Sequence, residues 1–503
     1  MNFNSWQFLI FLPVVIILYW IIPSRFRWIL LLTASYYFYM FWNVWLVFLI
    51  LGTTLVSYLS GLLIEKYQAK KKVFLIITIV ICLGVLFAFK YLEFLTNSVI
   101  DFLNLFAMTL SSVTWNILLP VGISFYTFQT LSYVIDVYRG TYKAEHHFGY
   151  YALFVSYFPQ LVAGPIEKAD ILMPQLKAEH HINREDMLTG TRLLISGFIR
   201  KCVIADFIGI YVNNVFASLS TSNSLSIFLA GALFCIEMYC DFAGYSEIAM
   251  GCARLMGVKL TQNFNQPYLS QSYGEFFHRW HYSLNRWFTE YLYIPLGGNR
   301  KGKGREILNK IIVFGLCGLW HGARWTYLLW GLYAAFWVCL ESSLINPAIK
   351  KAANKGLDIN KPDIVLLRRV IMFLIFVPAA LLFRASSSEE AGIVFTRLFT
   401  QWGFSISYFN SAITTLGMES MDLLMVIFMM FIIYFLYDFA YKDTSQEFIL
   451  QAESNQVSLP KEKTLSLQAS NSMVYVYGVM LIALMWVFLL ANSDVSEFAY
   501  FQF

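Results

Sequence analysis

The sequence predicts an all-α polytopic membrane protein, on three observations. Of its 503 residues, 58% are hydrophobic and only 13% charged, against about a quarter charged in ordinary soluble domains. Apolar runs recur from Phe8 to Leu490 with no extended polar block between them. The basic residues sit in short clusters between those runs, as in the cytoplasmic loops of membrane proteins. One membrane-embedded domain over residues 1–503 is therefore expected.

A helix needs about 20 mostly apolar residues to cross a bilayer. Candidate spans cover 7–23, 28–43, 45–64, 73–89, 94–113, 116–137, 147–165, 188–212, 224–245, 307–340, 365–384, 421–440 and 472–491. The first has no basic residue ahead of it and no small-residue cleavage site behind it, so it is expected to remain as a span, with Arg25 and Arg27 inside. The second and third, joined at Trp42-Asn43, bring the basic loop 65–72 to the cytoplasm, and the alternation carries 138–143 there too. Residues 267–305 interleave aromatic and charged side chains, which suits interfacial or re-entrant helices. The basic loop 299–305 reads as cytoplasmic, as do the segment from Lys350 to Arg369 and the polar loop 442–467. The C-terminus then falls outside. Glycine-proline breaks at 119–125 and 162–168 suggest interrupted helices or kinks.

The net charge of +5 is modest and scattered, which argues against a nucleic-acid face. The seven cysteines form no C-x-x-C pair and have no histidines at ligand spacing, so neither a disulfide framework nor a metal site is expected. The G-x-S-x-G, Walker and dinucleotide-binding patterns are missing, which removes the usual markers of serine hydrolysis and ATP-driven work.

Chemistry concentrates in LCGLWHGARWTYLLWG, residues 316–331. From Glu306 to Leu319 there are only about a dozen apolar residues, roughly 20 Å of helix at about 1.5 Å per residue, so His321 is expected within the bilayer thickness at a hairpin or broken helix. An ionisable group at that depth is costly and faces a protein interior or a water-filled cavity, so function is its default explanation. A neutral imidazole there is able to take a proton, as a general base must. The competing reading is a histidine bonded to a neighbouring helix. Trp320 and Trp325 supply rigid walls. In FFHRWHYSLNRW, His278 and His281 are spaced to share a helix face. Arg279 and Arg286 suit phosphate, which guanidinium forks hold bidentately. Arg300 and Lys301 suit it too, although topology alone explains them. Asp241 lies in an apolar setting four residues after Glu237; such carboxylates orient a histidine, carry protons or cap a helix. A transporter or flippase with His321 and Asp241 in a proton relay stays open on these residues.

The series LPVGISFYTFQTLSYVIDVYRG, FPQLVAGPIEK, CDFAGYSEIAMGCARLMG, FNQPY, RWHYSLNRWFTEYLYIPLGGNR and LWHGARWTYLLWG resembles the membrane-bound O-acyltransferase superfamily, in its bacterial polysaccharide O-acetyltransferase branch. The resemblance covers nearly the whole chain, in order. It implies a ring of tilted helices around a thinned core with a through-membrane tunnel, along which Asp241, Trp320, Trp325 and Arg324 would lie. It makes His321 the catalytic histidine and His281 the second motif histidine, and gives acetyl-CoA as the donor, with no permanently bound cofactor. Phe498, Tyr500 and Phe503 fit an F-x-Y-x-x-F ending whose tyrosine takes the acyl group in transit; the competing reading is an aromatic interface anchor. Arg324 stands where the pattern has a small or polar residue, implying an added charge or a salt bridge to a carboxylate. The implied partners are a cell-surface polysaccharide and an extracytoplasmic acetyltransferase, and the implied location is the bacterial inner membrane. Within the superfamily, D-alanyl transfer from a carrier protein is the alternative.

Overall fold

A computed structural model describes residues 1–115 and 117–441. The run 472–491, the loop 442–467 and the C-terminal Phe498, Tyr500 and Phe503 lie outside the described residues. Among the described residues the chain is helical, without strands. Six of their helices are long and apolar enough to cross a membrane: Leu46–Lys66, Gln68–Lys90, Ser224–Arg254, Trp325–Asn354, Pro362–Arg384 and Ser420–Tyr441. The all-α membrane class is thus borne out. The described residues pack as two compact units, one of residues 1–31, 178–266 and 393–441, the other of residues 32–177 and 267–392.

The first unit is organised by the 31-residue helix Ser224–Arg254, which Asn223 caps by accepting from the Ser226 N–H. It runs nine residues beyond the expected end at 245, because the segment 245–254 is buried throughout and includes small residues such as Ala249, Gly251 and Ala253. Against it lies Arg184–Phe198. A Cβ on Gly197 would come within 2.7 Å of the Gly244 carbonyl oxygen, and one on Gly244 within 2.8 Å of the Gly197 oxygen. Paired glycines let two backbones touch where lipid supplies no hydrophobic drive between helices. Past Phe198 the chain loosens into a π-helical stretch, Ile199–Ala205. That stretch aims Arg200 at Glu247 (3.1 Å) and Lys201 at both Asp241 and Asp206 (2.8 Å each).

The second unit has the helix Ile123–Arg139 at its centre, buried at every position except Ile135, Tyr138 and Arg139. Helices Leu46–Lys66 and Lys71–Lys90 pack on it. Two of its polar residues find partners inside: Gln129 donates to the Phe154 carbonyl at 2.8 Å, and Asp136 accepts from Tyr291 at 2.7 Å. Three expected spans prove shorter. The run 94–113 is helical only over Leu92–Asn104. Beyond it, Asn104 and Asn97 bond the backbone of Leu110 and Val113 through both N–H and carbonyl, replacing helix bonds with side-chain bonds. The run 116–137 becomes helical only at Ile123, after Pro120 and a left-handed Gly122 (φ 76°). The run 147–165 is helical over Phe148–Ser156 and then turns. In the first unit, Ile406–Leu416 forms a helix that no apolar run announced.

Candidate active site

The helix Lys303–His321 ends on its histidine, and Gly322 and Arg324 are extended before Trp325–Leu340 returns. The expected hairpin is present. Its first arm is longer than the apolar count suggested, starting at Lys303 within the basic loop. The arms meet backbone to backbone: a Cβ on Gly318 would lie 2.2 Å from the Tyr327 oxygen, and one on Gly331 2.3 Å from the Phe314 oxygen.

His321 is partly buried and ringed edge-on by three aromatics: Trp320 (5.0 Å, 81°), Trp330 (5.2 Å, 82°) and Phe383 (5.2 Å, 76°). His281 reaches the same tryptophan, 5.9 Å from its ring, and stacks on Phe125 at 6.2 Å. The two motif histidines therefore meet at one indole, although 40 residues separate them in sequence. Their exposures differ, since His281 is 1% exposed while His321 keeps a partly open surface.

His278 and His281 do not share a helix face, contrary to their spacing. The helix Tyr273–Arg279 stops, Trp280 is extended, and His281 takes a left-handed conformation (φ 46°, ψ 53°) before Tyr282–Phe288 begins. Asn285 latches the break by donating to the Phe277 and Trp280 carbonyls at 2.5 and 2.6 Å. A left-handed conformation in a non-glycine residue costs energy and persists where its surroundings over-determine it, commonly at functional sites. Ser283 then accepts from the Ile166 N–H at 3.0 Å, tying the segment 162–168 to this one. Trp287 stacks on Phe128 at 3.7 Å and 7°.

The four basic residues read as phosphate ligands have different surroundings. Arg279 is held by Glu275 one turn earlier, at 2.8 Å. Arg286 donates to the Ile166 carbonyl at 3.4 Å. Arg300 and Lys301 are exposed on the loop before the histidine helix. Arg324, expected to add charge or pair with a carboxylate, makes no ion pair among the described residues and lies 6.0 Å over the Tyr327 ring. Asp241 belongs to the first unit, paired with Lys201. Trp325 is half exposed, edge-on to Phe94 at 5.5 Å. With Lys90, Glu93, Asp101 and Ala323 it lines a cavity of 420 Å³. Among the described residues, no group of three or more side chains could hold a metal ion.

Sequence reasoning missed Lys90, Tyr91 and Phe383. Lys90 looks like the polar end of a span, and nothing local says that it touches a helix 230 residues away.

Residues 143–382 match the membrane-bound O-acyltransferase family. The chain is 37% identical over 416 residues to a probable alginate O-acetylase of Pseudomonas aeruginosa, covering 82% of this chain and 77% of that one. It is 34% identical over 365 residues to a peptidoglycan O-acetyltransferase of Helicobacter pylori, covering 66% and 68%. Similarity to a teichoic acid D-alanyltransferase of Bacillus subtilis is 29% over 229 residues, covering 44% and 58%.

Proposed function

The chain belongs to the membrane-bound O-acyltransferase family and is a multi-pass O-acyltransferase; from that premise we propose that it carries an acetyl group from cytoplasmic acetyl-CoA to an extracytoplasmic polysaccharide. It does so directly or through a partner acetyltransferase, from the bacterial inner membrane. Relatives named for acetylating alginate and peptidoglycan support the acetyl group and the glycan acceptor. The observation that carries the reading is His321, a partly exposed residue at the end of its helix whose imidazole is walled by three rings.

His321 is the general base. It takes the proton of an attacking hydroxyl as that oxygen bonds to the thioester carbonyl carbon. The carbon–sulfur bond breaks, and the imidazolium returns the proton to the leaving thiolate, releasing coenzyme A. The attacking hydroxyl is that of Tyr500, which holds the acetyl as a phenyl ester. An acceptor hydroxyl then displaces it, and its proton restores the tyrosine. His281, buried against the same indole, positions the base rather than touching the acyl group. Arg286, Arg300 and Lys301 hold the donor's phosphates, with Arg279 joining them if Glu275 releases it. Trp320, Trp325 and Arg324 bound the passage. The family assignment displaces the transporter reading, in which Asp241 relayed protons.

Purified protein with acetyl-labelled acetyl-CoA tests this. Label is expected on the protein and coenzyme A in solution, both lost on His321→Ala. In Tyr500→Phe the protein-bound label disappears. Undiminished labelling in both variants would falsify the assigned roles. The D-alanyltransferase relative favours a second reading, D-alanyl transfer from a carrier protein. Dependence of turnover on such a carrier, with no coenzyme A released, would select it.

A further inference from the structure

The last four carbonyls of a helix have no partner within it, and many helices satisfy some of them by curling into a left-handed residue whose N–H folds back. The histidine helix ends otherwise. Gly322, after His321, is extended at φ −166° and ψ 153°. Its terminal carbonyls are met instead by the end of the helix Lys71–Lys90. The Lys90 ammonium donates to the Trp320 carbonyl at 2.5 Å and to the His321 carbonyl at 3.4 Å, and Tyr91 donates its hydroxyl to Leu319 at 2.9 Å.

Lys90 is unusual in its partners. Besides those two carbonyls it donates to the Ser124 hydroxyl at 3.2 Å and lies 5.8 Å over the Trp320 ring. Among the described residues it forms no ion pair with a carboxylate. A partly buried cation without an ion-paired carboxylate is costly, and here its compensation is the negative end of the helix dipole and the Ser124 hydroxyl, beside a cavity whose lining mixes polar and apolar residues. A lysine needed only to end a span would lie in the interface, with its charge in water.

We infer that Lys90 is a positioning residue for His321: its ammonium is the C-cap of the helix that carries the imidazole. This rests on the reading of His321 as the base. Because the cap grips the backbone of His321 itself, a change there turns the imidazole relative to the ring walls without unfolding the hairpin, which its glycine seam holds independently.

The test uses the full-length protein in detergent, following coenzyme A release from acetyl-CoA together with the thermal unfolding midpoint. Lys90→Met keeps the stem and removes the charge. It is expected to lower kcat about 10- to 100-fold, the scale of a small misplacement of a catalytic group, with KM for acetyl-CoA and the midpoint unchanged. Lys90→Arg, which still donates to carbonyls, is expected to restore most of kcat. A parental kcat in Lys90→Met would overturn the inference. So would a loss accompanied by a lower midpoint, or one that Lys90→Arg leaves uncorrected. His321→Ala run alongside separates the two levels: if it stays active the reading of the histidine fails, and if it is dead while Lys90→Met is active only the cap fails.

Discussion

The buried cations of the first unit and Lys90 of the second are treated in opposite ways. In the first, Arg200 and Lys201 are at most 1% exposed and each faces carboxylates: Glu247 for the arginine, Asp241 and Asp206 for the lysine. In the second, Lys90 faces helix carbonyls and a hydroxyl. A buried charge matched by an opposite charge is a lock between helices, and removing one partner strands the other. A charge matched by backbone carbonyls and a hydroxyl, with no carboxylate, is held less deeply and, on our inference, acts on whatever that backbone carries, which here is His321. On that inference, the difference separates charges that keep the fold from one that serves the proposed site.

Three substitutions sharpen that contrast, in falling order of expected effect. Glu247→Leu leaves Arg200 buried without its carboxylate and is expected to cost about 3–5 kcal/mol, read as a lower unfolding midpoint. The double change Arg200→Met with Glu247→Leu should recover most of it, and no recovery would mean that packing rather than charge makes the lock. Asp241→Asn is milder because Lys201 keeps Asp206 at 2.8 Å; an expected loss of about 1–3 kcal/mol is measurable by the same unfolding. Glu275→Gln releases Arg279 from a partly exposed pair one turn apart. That should change stability by no more than about 0.5 kcal/mol, and a shift as large as that of Glu247→Leu would erase the distinction between buried locks and partly exposed pairs. Lys90→Met belongs to a different column, since its effect is expected on rate.

The fold class was legible because burial in lipid needs long apolar runs, and composition records those directly. Helix ends were less so. Asn97 and Asn104 end one run by bonding backbone ahead of them, which hydropathy does not register. At the candidate site, His321 stood out as an ionisable group in an apolar wall, and a hairpin or broken helix around it followed from the short apolar approach and the basic segments on either side. The spacing of His278 and His281 misled, because the break between them is fixed by Asn285 bonding two carbonyls, a contact that periodicity does not encode. Lys90 was invisible for a related reason: its partners lie on another helix, and only the folded chain sets the ammonium on the histidine's backbone.

The glycine seam of the histidine hairpin carries a consequence for turnover. Where Gly318 and Gly331 press main chain on main chain, there is no side chain to re-pack, so the two arms have no soft layer along which to slide. On the proposed reading of His321 as the base, the hairpin is a fixed mount for the imidazole: the thioester and the hydroxyl would have to travel to it, and gating would fall to segments outside the hairpin.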